Sequence, residues 1–279
     1  MDRPPRPRPA SMLPSLVTLA NLACGLGALV RLVEAARLDD PNRLAAAGWL
    51  LVLATFLDAV DGKLARLTRS TSDLGAQLDS LADLVTFGVA PALLVRTLVL
   101  MEGPDLDIRM HPRLLVVAPV VYGCCAALRL ARFNVEHARE DPSRDHSSFV
   151  GLPTPGAAAL PISLVLFYFA VADPDFVFGT SPFLVHAVRV TTLVSGPFLL
   201  LVLAMLMVTR LPFPHFVAWA ARARNPFQRL AEIVILAGLL LVEPELALLL
   251  LSILFIAFPA LLGVVRAVRL RRAASRSTA

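Results

Sequence analysis

Four stretches of this chain contain no Asp, Glu, Lys or Arg: residues 9–30, 146–172, 190–209 and 246–265, which run for 22, 27, 20 and 20 residues. A helix rises about 1.5 Å per residue and a hydrocarbon core is about 30 Å thick, so some 20 apolar residues reach across it. Composition points the same way: 57% of residues are hydrophobic and 17% charged, where soluble domains carry about 25% charged residues. The mean hydropathy is +0.72. So large an apolar surplus excludes an ordinary cytosolic globule, a disordered chain and a disulfide scaffold. The runs also lack the alternation of lipid-facing strands, which disfavours a β-barrel.

The sequence predicts an all-α polytopic membrane protein of about eight transmembrane helices, near 12–35, 44–66, 74–100, 114–134, 155–172, 187–209, 229–243 and 246–268. A six-helix catalytic core with two added C-terminal helices describes the same pattern. On that scheme residues 1–11 form a mobile basic tail and 12–209 the core. Residues 210–268 supply an interfacial segment and the C-terminal helix pair, and 269–279 a second basic tail. With the N-terminus inside, nineteen of the 26 Lys and Arg fall in inner segments. That asymmetry and an even helix number put both termini in the cytoplasm.

The first uncharged run is too long for a signal-peptide core, so a retained first helix is expected. The net charge of +5 is dispersed in clusters between apolar runs, which argues against a nucleic-acid partner. Cys24, Cys124 and Cys125 form no CxxC pair and are read as packing residues.

Acid inside apolar helices carries the chemical information. Asp58 and Asp61 are spaced i, i+3 near the end of the second helix; Asp79 and Asp83 are spaced i, i+4 at the start of the third. Each pair therefore lies on one helix face. A short turn joins the two helices, which predicts antiparallel neighbours and four converging carboxylates. An Asp deep in a membrane helix costs about 2.5–3.5 kcal/mol. Two unit charges about 5 Å apart repel by about 3 kcal/mol at an effective dielectric near 20. Divalent cations with oxygen ligands resolve the conflict, and hard ligands favour Mg²⁺ or Mn²⁺. Four separately solvated helix-end aspartates are the alternative. Gly62 and Gly75 would admit a phosphate to the helix backbone, and Arg66 could clamp one of its oxygens.

Residues 58–83 read D-x2-D-G-x2-A-R-x8-G-x3-D-x3-D. This spacing resembles the signature of the CDP-alcohol phosphotransferases. Within that family the chain resembles the membrane-type phosphatidylserine synthases over most of its length. Residues 12–22, Leu78 to Pro91, Arg129 to Asn134 and Phe149 to Pro155 add to the likeness. Ser15 stands where the family usually has Asn, and Thr86 where Ser is common.

The resemblance implies a two-metal site. Asp58, Asp61 and Asp79 would ligate one Mn²⁺ or Mg²⁺, Asp61, Asp79 and Asp83 a second, and Asp83 would also be the general base. It further implies that Gly62, Arg66, Ser72 and Gly75 contact CDP-diacylglycerol, with Ser15, Thr18 and Asn21 closing over it. L-serine would be the acceptor and phosphatidylserine and CMP the products. Arg129, Arg132 and Asn134 are candidates for holding serine, with anchoring of the two arginines at the inner surface as the alternative. A homodimer in the cytoplasmic membrane, with the active site facing the cytoplasm, is expected. Other acceptors (glycerol phosphate, inositol phosphate, choline) and a cation-coupled transporter are the competing readings. The transporter would place its acids near the bilayer midplane, within paired repeats.

Overall fold

A computed structural model describes residues 12–68, 73–138, 149–177, 181–209, 212–213 and 226–258. Helix α1 (Met12–Leu38) and helix α2 (Asn42–Thr68) form a hairpin. Its turn, Asp39-Asp40-Pro41, is built from turn-forming residues, and Asp39 takes a left-handed φ of 50°. Asp40 accepts a hydrogen bond from the Asn42 backbone at 3.2 Å, and Arg43 bridges Asp40 at 3.1 Å and Glu34 at 2.6 Å. These exposed contacts set the turn; most of the hairpin's stability comes from its packing, because surface ion pairs contribute little.

The third span, Leu74–Glu102, was expected to be one regular helix. It contains three stretches instead: α3 (Asp73–Asp83), a π-helical segment (Leu84–Val89) and α4 (Ala90–Glu102). Pro91 sits in the first turn of α4 and its ring cannot coexist with a regular bond to the carbonyl four residues back. The chain widens there, and the Ala90 amide reaches back five residues to the Val85 carbonyl. Such π turns are frequent at functional sites.

Helices α5 (Pro112–Ala138), α6 (Thr154–Ala170) and α7 (Pro182–Val208) complete the bundle. Each carries an internal proline, Pro119, Pro161 and Pro197 respectively, which membrane helices tolerate. The third span is the most enclosed: 56% of its apolar window is buried, against 28–44% in the other long helices. Its α4 portion touches α1, α2, α5, α6 and α7. Phe87, Ala90, Leu94 and Leu98 form its buried stripe, packed with Tyr122, Leu166, Leu193 and Leu200. Small residues allow the close approaches such bundles need; a side chain at Gly48 would meet Leu166 at 2.8 Å, and one at Gly196 would meet Val95 at 2.8 Å.

Among the described residues five helices are long and apolar enough to cross a membrane. Where the fifth and seventh helices were expected lie α6 and α8 (Pro226–Val242), of 17 residues each, and the eighth is described over α9 (Pro244–Phe258), its expected remainder to 268 lying outside the described residues. Helix α7 begins five residues earlier than expected because Ser181 caps it, accepting the Leu184 amide at 3.1 Å, with Pro182 following. Ser252 of α9 meets Ser163 of α6 at 2.9 Å. The expected interfacial segment falls largely outside the described residues, as do both basic tails.

A two-residue ladder was not foreseen. Strand β1 (Phe149–Val150) pairs antiparallel with β2 (Pro212–Phe213). It ties the connection before α6 to the exit of α7. Gly151 follows at φ +89°, where an added Cβ would meet the Met207 and Thr209 carbonyls at 2.8 and 2.9 Å. That position demands glycine.

The expected neighbourhood of α2 and α3 is met at their acidic ends, where Asp58 gathers with Asp79 and Asp83. Helix α1, which packs along α2 and also against α3 and the π segment, is the main partner of both. The acidic ends of α2 and α3 thus face each other across a space that α1 closes on one side.

Candidate active site

Asp58 and Asp61 lie in the last three turns of α2, and Asp79 and Asp83 in the last two turns of α3, immediately before the π segment. One carboxylate oxygen from each of Asp58, Asp79 and Asp83 falls within a 4.8 Å cluster. Asp61 stands beside them and is buried. Every pair within the quartet is close enough to repel electrostatically.

Among the described residues no Lys or Arg forms an ion pair with the quartet. Asp61 accepts a short hydrogen bond from the Thr18 hydroxyl through Oδ2, while its Oδ1 is buried with no hydrogen-bond partner. Asp83 accepts from Asn21 Nδ2 at 3.5 Å. A buried carboxylate oxygen without a partner is costly. Clustered carboxylates with an unsatisfied oxygen are the donor set of a hard divalent cation, so the residues present fit the expected metals.

Helix α1 has a larger part here than its sequence suggested. Thr18 and Asn21, spaced i, i+3, are expected to face the lipid nucleotide; the Thr18 hydroxyl donates to Asp61 and the Asn21 amide to Asp83. The Asn21 carbonyl accepts from Thr86 of the π segment at 3.5 Å. One turn along, Gly25 lies so close to Thr86 that a Cβ would overlap its hydroxyl. Neither Gly25 nor Thr86 was singled out as a site residue. The available signals were a glycine one turn past Asn21 and the Gly88…Pro91 interruption just after Asp83.

Ser15 lies half-buried one turn before Thr18 and Asn21. Gly62 is exposed, with open space where its side chain would be. Gly75 is half-buried in the first turn of α3. Arg66 belongs to α2, but its side chain lies outside the described residues, as does Ser72.

The three acceptor-site candidates separate. Asn134 on α5 donates to Ser80 Oγ at 2.9 Å and accepts from it at 3.2 Å. Ser80 directly follows Asp79, so this pair ties α5 to the acidic helix. Arg129 is buried and donates to the Leu152 carbonyl at 3.3 Å. Arg132 pairs with Glu136 at 2.6 Å. Asn134 is thereby tied to the residue next to Asp79, while the two arginines bond to Leu152 and Glu136.

The sequence has counterparts among known proteins. The family model described as CDP-alcohol phosphatidyltransferase matches residues 11–194. The CDP-diacylglycerol–serine O-phosphatidyltransferase of Bacillus subtilis (strain 168) is 31% identical over 209 residues, covering 75% of this chain and 93% of that protein. The protein of the same name from Mycobacterium tuberculosis (strain ATCC 25618 / H37Rv) is 36% identical over 155 residues, 55% of this chain and 49% of that one. Its counterpart in Helicobacter pylori (strain J99) is 34% identical over 158 residues, 57% and 59%. The match thus spans nearly all of the Bacillus relative but only about half of the other two.

Proposed function

The chain belongs to the CDP-alcohol phosphatidyltransferase family, and on that premise we propose that it transfers the phosphatidyl group of CDP-diacylglycerol to the hydroxyl of L-serine, giving phosphatidylserine and CMP. The observation that carries this reading is the 4.8 Å cluster of Asp58, Asp79 and Asp83 with Asp61 beside it. The names of the relatives favour serine as acceptor.

Asp58, Asp61, Asp79 and Asp83 would hold two divalent ions, Mn²⁺ or Mg²⁺, which when bound offset the negative charge of the diphosphate and of departing CMP. The open face of Gly62 leaves room for the diphosphate against α2. Arg66, Ser72, Gly75 and Ser15 would complete the nucleotide contacts. Serine's hydroxyl is a poor nucleophile at neutral pH, so a base must take its proton as it attacks. Asp83 fills that role: serine's oxygen bonds to the phosphorus bearing diacylglycerol, the bond from that phosphorus to CMP breaks, and CMP leaves with the electron pair. Asn134, held beside Asp79 through Ser80, would orient the serine, with Arg129 and Arg132 further out.

Residues 12–209 form the catalytic core on this reading, in the cytoplasmic membrane, with the active site facing the cytoplasm and two copies forming a homodimer. The test is CMP release from CDP-diacylglycerol in detergent, with and without serine and Mn²⁺. Release that depends on both supports the proposal. Release only with glycerol phosphate, inositol phosphate or choline changes the acceptor. No release with any alcohol returns the aspartates to a cation pathway.

A further inference from the structure

A second polar site lies at the opposite end of the bundle from the aspartates. A cavity of about 400 Å³ opens between the start of α2, the end of α6, the first turns of α7 and the start of α9. Its volume falls in the range of small-ligand sites. Trp49 and Phe169 give it an aromatic wall, and Arg189, Asp173 and Glu245 give it charge of both signs.

Arg189 is the informative residue. It lies seven residues into α7, about 10 Å along the helix at 1.5 Å per residue. Its guanidinium stacks over the Tyr168 ring at 5.2 Å, and the Tyr168 hydroxyl in turn donates to Glu102 at 2.6 Å. Arg189 is thus fixed in place by an aromatic face rather than by an anion. Its Nε is buried without a hydrogen-bond partner. Although Asp173 and Glu245 line the same cavity, neither forms an ion pair with it among the described residues. A buried N–H without an acceptor carries the full cost of its desolvation. A cation and two carboxylates left apart across one cavity match a ligand that itself carries both charges.

We propose that this cavity binds the headgroup of a zwitterionic aminophospholipid, with the phosphate at Arg189, the ammonium toward Asp173 and Glu245, and the glycerol end against Trp49 and Phe169. Helix ends at the membrane surface put the charged residues at headgroup depth, and the half-exposed Trp49 suits the interface. A lipid fits better than a soluble zwitterion because Trp49, Leu166 and Phe169 line the same cavity as the charged groups and suit an apolar glycerol end.

The experiment is lipid retention by the full chain, purified in detergent, offered equal amounts of dioleoyl phosphatidylethanolamine, phosphatidylglycerol and phosphatidylcholine, and read by native mass spectrometry. Phosphatidylethanolamine should be retained about fivefold over either competitor, since phosphatidylglycerol lacks the ammonium and phosphatidylcholine cannot donate from it. Arg189→Gln should lower retention of all three. The pair Asp173→Asn and Glu245→Gln should abolish the preference and leave phosphatidylglycerol retention unchanged. These variants should release CMP at the parental rate, which certifies their fold. Retention without headgroup preference, or a preference that survives both carboxamide substitutions, overturns the proposal. Glycerophosphoethanolamine competing as tightly as the lipid would also overturn it, by making the ligand soluble. The readout needs no turnover, so it stands or falls separately from the serine transfer.

Discussion

Asp83 and Asp61 are both buried, yet their surroundings give them different work. Asp83 meets the other acids and accepts only a long hydrogen bond from Asn21, leaving it able to take a proton. Asp83→Asn keeps an oxygen for Asn21 but cannot act as a base. Turnover should fall by about 10³-fold with no loss of folded protein, checked by CMP release and by thermal unfolding in detergent. Parental turnover would remove Asp83 from the mechanism. Asp61 is held by Thr18 through one oxygen and presents the other unsatisfied. A group that orients a metal ligand is commonly worth 10–100-fold in metal affinity. Thr18→Val should therefore raise the Mn²⁺ concentration for half-maximal activity by about 10-fold, and should weaken Mn²⁺ binding equally when it is measured by calorimetry without substrate. A change in the CDP-diacylglycerol requirement alone would return Thr18 to the nucleotide contacts. The acids themselves were legible in the sequence, because i, i+3 and i, i+4 spacing fixes a shared face before any partner is known. The hydroxyl and amide that hold them were legible only as polar residues in an apolar helix, since sequence does not say which neighbour a face meets.

Elements carry the site through one contact that local pattern could not disclose. The π segment widens the third span just after Asp83, and α1 is pressed onto it at Gly25 and Thr86. Pro91 was readable as an interruption, but whether a proline kinks, breaks or widens a membrane helix depends on what packs against it. A methyl added at Gly25 overlaps the Thr86 hydroxyl, and overpacking of this kind costs about 1–3 kcal/mol. Gly25→Ala should lower the unfolding temperature in detergent and reduce activity together, because α1 also holds Asp61 and Asp83. Adding Thr86→Ala removes the overlapping hydroxyl and should restore most of both. Since neighbouring residues couple, the double variant should be better than the sum of the singles predicts. Simple additivity would mean that Gly25 acts elsewhere. The β1–β2 ladder has the same lesson: two residues are too few for any periodicity, and only Gly151 marked the turn.

At the scale of the whole molecule, the aspartates and the Arg189 cavity occupy opposite ends of one helical bundle. The hydrophobic runs were enough to read a polytopic all-α chain, because length against bilayer thickness is a constraint that tertiary detail cannot undo. The direction of the bundle is an expectation from charge, the eight-helix scheme assigning nineteen of the 26 basic residues to the side of the quartet. Lysine and arginine resist translocation, so that end is expected in the cytoplasm, where the proposed substrate serine and product CMP would be within reach. Two exposed positions report it: Lys63, at the quartet end of α2, and Asp175, in the connection between α6 and α7. In a background with Cys24, Cys124 and Cys125 replaced by Ala, Lys63→Cys should react with a membrane-impermeant maleimide in inverted vesicles and stay protected in right-side-out ones. Asp175→Cys should behave in the opposite way. The reverse pattern would put the acids outside, away from any cytoplasmic nucleotide pool. Labelling of both positions from one side would mean that the α2-to-α6 stretch crosses the membrane an even number of times, and would cost the bundle its two-ended arrangement.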